Sequence, residues 1–224
     1  MTVRKTFLLA AIAASAAPAV AFAQAKCEIE EGKPNQVKDA RNELVKAGLV
    51  GKPDEKKKLI AKAVGLLNTP QASQNAVGQK WVLGRALVTY LSLPDHPVVT
   101  SKAAVGYPGA APTEQIDLVL AVDSAFDVVE QAMPACESET EQYRRIPYVP
   151  LVNEAVNLYN AKQVDSAVAI ARRALVIYPK SPVGYNVIGN ALQGKEDIAG
   201  AVDAFKKMVE VIGTDTTYKD EKKQ

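Results

Sequence analysis

Residues 148–181 can be laid over residues 182–215 at a spacing of 34, with like falling on like. Leu151 meets Tyr185, Ala155 meets Gly189, Leu158 meets Leu192, Val164 meets Ile198 and Ala167 meets Ala201. Farther along, Ala171 meets Phe205, Ala174 meets Met208, Leu175 meets Val209, and the cations Arg172 and Arg173 meet Lys206 and Lys207. Size and polarity are kept more than identity. Small residues where two helices must approach, with large apolar residues between them at a fixed period, predict a helical unit that cannot bury its apolar face alone and so stacks on its neighbours.

These two units resemble the tetratricopeptide repeat. The later one carries Tyr185, Ile188, Gly189, Leu192, Ala201 and Phe205 at the positions that the family favours, with Met208 in place of a second alanine and Gly213 in place of the closing proline. The earlier one carries Leu151, Ala155, Leu158, Ala167, Ala174 and Pro179, but has Glu154 where leucine is usual and Ala171 where an aromatic is usual. The resemblance implies an all-α fold of antiparallel helical hairpins stacked as a right-handed solenoid. It also implies a concave groove lined by the first helix of each unit. By position that groove takes Val152, Val156 and Tyr159 from the earlier unit, and Asn186, Asn190 and Gln193 from the later. Asn186 and Asn190 stand four residues apart on one helical face, and each amide can both donate to and accept from a peptide backbone. The alternative is that they are solvated polar residues. The family's carboxylate-gripping version uses lysine and arginine in the groove, and none occurs at these positions, which argues against capture of a free C-terminus. The partner implied is a protein or peptide.

Residues 34–133 predict weaker hairpins of the same kind. Val37, Ala40, Leu44, Val45 and Ala47 define a helix over 35–48 that stops at Gly48. Pro53 and Asp54 open a second helix with its apolar face at Leu59, Ile60, Ala63, Val64 and Leu67. Thr69-Pro70 reads as a cap and first-turn proline for a third helix reaching Leu91. Trp81-Val82-Leu83-Gly84 echoes the repeat, although Trp81 is one position too close to Gly84. Residues 92–112 then interrupt the pattern with Pro94, Pro97, Pro108, Pro112, Gly106 and Gly109, and helix is expected again from Thr113 to Met133. The interruption is a variable surface loop or a binding loop, in which His96 and Tyr107 would close a pocket for a small ligand. Residues 134–147 read as a linker, 148–213 as the two repeat units and 214–224 as a polar tail.

Residues 1–23 read as a secretory signal peptide: Arg4 and Lys5, an uncharged run from Thr6, and Ala21-Phe22-Ala23 as the cleavage site. A second small-x-small site, Ala23-Gln24-Ala25, leaves the cut ambiguous by two residues. The mature chain is then periplasmic or secreted and begins with a short segment, 24–33. No other run is long and apolar enough to span a bilayer. The 27 lysines and arginines face 25 acidic residues, and losing Arg4 and Lys5 balances the charge. A neutral chain lacks the basic face of a nucleic-acid binder. In an oxidising compartment two cysteines suggest pairing, and Cys27 with Cys136 is the one bond available; the alternative is two free thiols.

Catalytic signals are absent. The single histidine, His96, cannot assemble a multi-ligand zinc site, and the i, i+2 spacing of Glu137, Glu139 and Glu141 matches no calcium loop. No nucleophile elbow or phosphate-cradling loop occurs. A non-catalytic binding protein without cofactor or metal is expected. The last helix, with Ile198, Val202, Phe205, Met208, Val209 and Ile212, has no helix after it, so its uncovered apolar face is expected to bind a partner or a second copy.

Overall fold

A computed structural model describes residues 26–94 and 97–214. The expected signal peptide, His96 and the residues beyond 214 lie outside the described residues. The fold is all-α, as expected, apart from one two-stranded ribbon.

The first hairpin is α1 (Asn35–Leu49) and α2 (Pro53–Leu67). Pro53 sits in the first turn of α2, where its missing N–H costs nothing, and Asp54 and Glu55 face the positive end of the helix dipole. Val37, Ala40, Leu44 and Ala47 pack against Ile60, Ala63, Val64 and Leu67. Thr69-Pro70 does not open the next helix. The Thr69 hydroxyl donates to Leu66 O and so closes α2; a 3-10 turn (Ala72–Asn75) follows, and α3 (Ala76–Leu91) starts where Asn75 Oδ1 accepts from Gly78 N.

The partner of α3 is α5 (Leu118–Ala132), across the insertion. Gly84 makes the contact possible, since a Cβ there would lie 2.5 Å from the Phe126 ring. Gly189 faces Phe205 in the same way, also at 2.5 Å, in the last hairpin.

The insertion is more ordered than a loop. Strand β1 (Val99–Ser101) pairs antiparallel with β2 (Gln115–Asp117), Thr100 opposite Ile116, and the short helix α4 (Lys102–Val105) lies between them. Val105 is fully buried, and Gly106, at φ 101°, ends α4 with its backbone against Ala61 of α2. The helix expected from Thr113 begins instead at Leu118. The ribbon takes Gln115–Asp117, and the Asp117 carboxylate caps α5 by accepting from Val119 N and Leu120 N.

The expected linker 134–147 is also replaced. A 3-10 turn (Pro134–Cys136) runs straight into α6 (Glu137–Asn160), which continues through Pro147 and Pro150. Two prolines in a helix argue locally for a break. Here tertiary contacts hold the first turns: Cys136 is bonded to Cys27, Thr140 Oγ1 donates to Glu130, and Arg144 is buried among carboxylates. Cys27 and Cys136 form the disulfide that the sequence suggested, across 109 positions. It fastens residues 26–34 along the side of α3.

Two hairpin units close the fold: α6 with α7 (Val164–Ile177), and α8 (Pro182–Gly194) with α9 (Ile198–Thr214). Their turns repeat at 34 residues. Lys162 and Glu196 both adopt left-handed backbone, φ 64° and 63°. Lys162 N donates to Tyr159 O as Glu196 N does to Gln193 O, and Gln163 N to Leu158 O as Asp197 N does to Leu192 O. A principal core joins α1–α3, α5 and the middle of α6, and a smaller one of Ala155, Ala167, Ala171, Val187, Ile188 and Ala204 binds the last two hairpins.

Candidate partner-binding surface

The predicted groove residues divide. Val152 is 6% exposed and belongs to the principal core, so it offers nothing to a partner; the helices ahead of the repeat cover that face of α6. Val156 and Tyr159 are half-buried against the smaller core. On α8, Asn186 and Gln193 are exposed and Asn190 is partly so. The amides are less free than the sequence suggested. Asn190 Nδ2 donates to Asn186 O at 2.9 Å and to Asn186 Oδ1 at 2.8 Å, and Asn186 Nδ2 points to Met208 Sδ on α9 at 3.5 Å.

That last contact leads to α9, the last helix among the described residues. Ile198 is 60% exposed, Val202 44%, Val209 63% and Ile212 36%. Their spacing places them on one stripe of α9, about 20 Å long at the helical rise. Of the residues of α9 only Ala201 and Ala204 are buried, on the side facing α8. On the side of α9 away from the stripe a cleft of about 510 Å³ opens between α7, α8 and α9, floored by Leu175, Ile188 and Leu192 and rimmed by Arg172, Asp203 and Lys207.

A second concave region lies where α5, α6 and the end of α7 meet, a cleft of about 160 Å³ among Asp123, Asp127, Glu130, Glu137, Glu141 and Lys180. Its floor is Arg144, 6% exposed. The guanidinium donates through Nε to Glu130 Oε1 at 3.0 Å, through Nη2 to Asp127 Oδ1 at 2.7 Å, and through Nη1 to Asp123 and to Ile177 O. Burial lifts the Asp123 carboxyl above its ordinary pKa against the pull of Arg144, and the Asp127 and Glu130 charges push the same way. Lys180 rises because it bonds Glu137. Three helices are cross-linked by one cation, which is an anchoring arrangement. Nothing in the sequence around Arg144 signalled it, because its partners lie 14 to 33 residues away.

Tyr107 of the insertion packs on the principal core, and burial raises its hydroxyl pKa. Among the described residues no group of three or more His, Cys, Asp or Glu side chains is placed to hold a metal ion, and no helix is long and apolar enough to cross a membrane. Comparison of the chain with protein-family models, with curated proteins and with solved structures gave no match in any of the three.

Proposed function

We propose that this chain is an extracytoplasmic, non-catalytic scaffold or adaptor of the tetratricopeptide type, which holds a protein partner along the exposed face of α9. The observation that carries this reading is the stripe Ile198, Val202, Val209 and Ile212, with Asn186 beside it. A contiguous apolar face of this length on a soluble protein marks an interaction site more often than chance exposure. Its spacing suits a helix that lays its own apolar face along α9, with the exposed Asn186 side chain at the margin. The 34-residue repetition of turn geometry and the Gly189–Phe205 contact favour the repeat family, and the disulfide favours an oxidising compartment. A second copy of the chain is the simplest helix to seat there, because two α9 stripes are alike in length and polarity.

The test is affinity capture from the extracytoplasmic fraction, wild type beside Val202→Asp/Val209→Asp, with sedimentation over a wide concentration range. Loss of captured partner, or of self-association, in a variant that melts like wild type is expected. Identical capture by both chains, with both monomeric throughout, refutes the reading.

A further inference from the structure

Residues Cys27–Lys33 are held on α3 chiefly through backbone carbonyls and one carboxylate, the way a receptor holds a peptide. Asn75 Nδ2 donates to Glu30 O and to Lys33 O, both at 2.7 Å. The same side chain caps α3 through its oxygen, so its orientation is set by the helix and not by the segment. Gly78 lets the segment approach, since a Cβ there would collide with the Glu30 carbonyl. The Glu31 carboxylate accepts from Trp81 Nε1 at 2.7 Å and from Arg85 Nη1 at 3.1 and 3.2 Å. Arg85 in turn stacks 5.5 Å from the Trp81 ring and 5.6 Å from Tyr143, and those two rings meet edge to face at 5.2 Å. Donors and rings therefore come from α3 and α6, prearranged around one acidic side chain. A charge-assisted pair flanked by aromatic faces is a strong recognition unit.

We propose that this face of α3 is a binding site for an extended acidic peptide, and that the chain's own residues 27–33 occupy it as a disulfide-tethered latch. The ligand it fits carries a Glu or Asp side chain at Arg85, a backbone carbonyl one residue before it and another two residues after it for Asn75. The tether matters energetically. A covalently held segment acts at an effective concentration of about millimolar, so a free peptide of micromolar affinity does not displace it. The site lies apart from α8 and α9, and its test touches none of their residues.

The experiment uses the full chain and a synthetic peptide of residues 26–33 with serine at position 27. In Cys27→Ser/Cys136→Ser/Glu31→Gln the disulfide tether and the latch carboxylate are gone, so the segment is joined only through Lys33–Pro34, while Asn75, Trp81 and Arg85 remain. Fluorescence anisotropy of labelled peptide is expected to show saturable binding to this variant and at least tenfold weaker binding to wild type. Adding Arg85→Ala, or replacing the peptide's Glu31 by glutamine, is expected to weaken it at least tenfold. The chain's single tryptophan gives a second reading with the disulfide intact: Glu31→Gln is expected to shift Trp81 emission, and excess peptide to return it toward the wild-type value. The proposal is overturned if the folded triple variant does not bind, if binding ignores Arg85 or the acidic residue, or if peptide leaves Trp81 emission unmoved in Glu31→Gln.

Discussion

Gly84→Ala and Gly189→Ala make the same chemical change at equivalent contacts, and they should differ in cost. A methyl at Gly84 would lie 2.5, 2.8 and 2.9 Å from three atoms of the Phe126 ring, and one at Gly189 2.5, 2.7 and 2.8 Å from the same three atoms of Phe205. Carbon atoms rest about 3.5–4.0 Å apart, so either ring must retreat by about 1 Å. Phe126 has nowhere to go. It is fully buried, with Trp81 and Tyr143 at 5.9 and 6.1 Å and the Arg144 guanidinium 5.6 Å over its face. Overpacking such a site costs about 1–3 kcal/mol, against which alanine in place of helical glycine returns about 0.5–1 kcal/mol. Gly84→Ala is therefore expected to be destabilised by about 1–2 kcal/mol, a fall in Tm of about 2–8 °C for a domain of this size. Phe205 is only half-buried, on a helix with none after it among the described residues, and can swing outward. Gly189→Ala should come out within about 0.5 kcal/mol of wild type, the helix gain offsetting the contact. Denaturant titration followed by far-ultraviolet circular dichroism measures both. A Gly84→Ala chain as stable as wild type, or a larger loss in Gly189→Ala, would refute the argument that enclosure of the ring decides the cost.

Arg144→Met leaves Asp123, Asp127 and Glu130 without their shared cation; about 3 kcal/mol of lost stability is expected, the low end for a broken buried pair because the carboxylates keep some water. Denaturant midpoints check this, and a neutral result would mean that the cation is dispensable. Glu43, 5% exposed, has its pKa lowered by hydrogen bonds from Lys46 and Lys62. Its contribution is present above the ordinary glutamate pKa and lost as pH falls through the depressed folded value, so Glu43→Gln should cost about 1 kcal/mol at pH 7 and nothing in strong acid. Thermal melts across pH that stay parallel would contradict it. Deleting residues 98–112 should cost at least about 2 kcal/mol or prevent folding, since it removes the buried Val105 and uncovers α2; a deletion chain that melts like wild type would show that the insertion is only decoration.

Much of the architecture can be read locally. Helices α1 and α2 have apolar residues at helical spacing, with a clear stop at the end of the first and a proline in the first turn of the second, and their bounds lie within a few residues of the expected ones. Asn186, Asn190 and Gln193 were legible on α8, and so was the α9 stripe, because both follow from repeat position alone. Val152 was misplaced for the same reason. Repeat position says which face a residue is on but not whether helices from outside the repeat cover that face.

The 34-residue spacing by itself marked out the two closing hairpins, and their turns repeat at that period because each turn is a local bonding pattern among residues only a few positions apart. The tertiary structure alone decided the pairing of α3 with α5 across a folded insertion, the passage of α6 through two prolines, and the seating of residues 26–34 on Trp81 and Arg85. Each of these rests on partners tens of residues away: Gly84 on Phe126, Arg144 on Asp123, Glu31 on Arg85. The free energy of such contacts exists only once the chain has closed the loops between them, and no window along the sequence contains both halves.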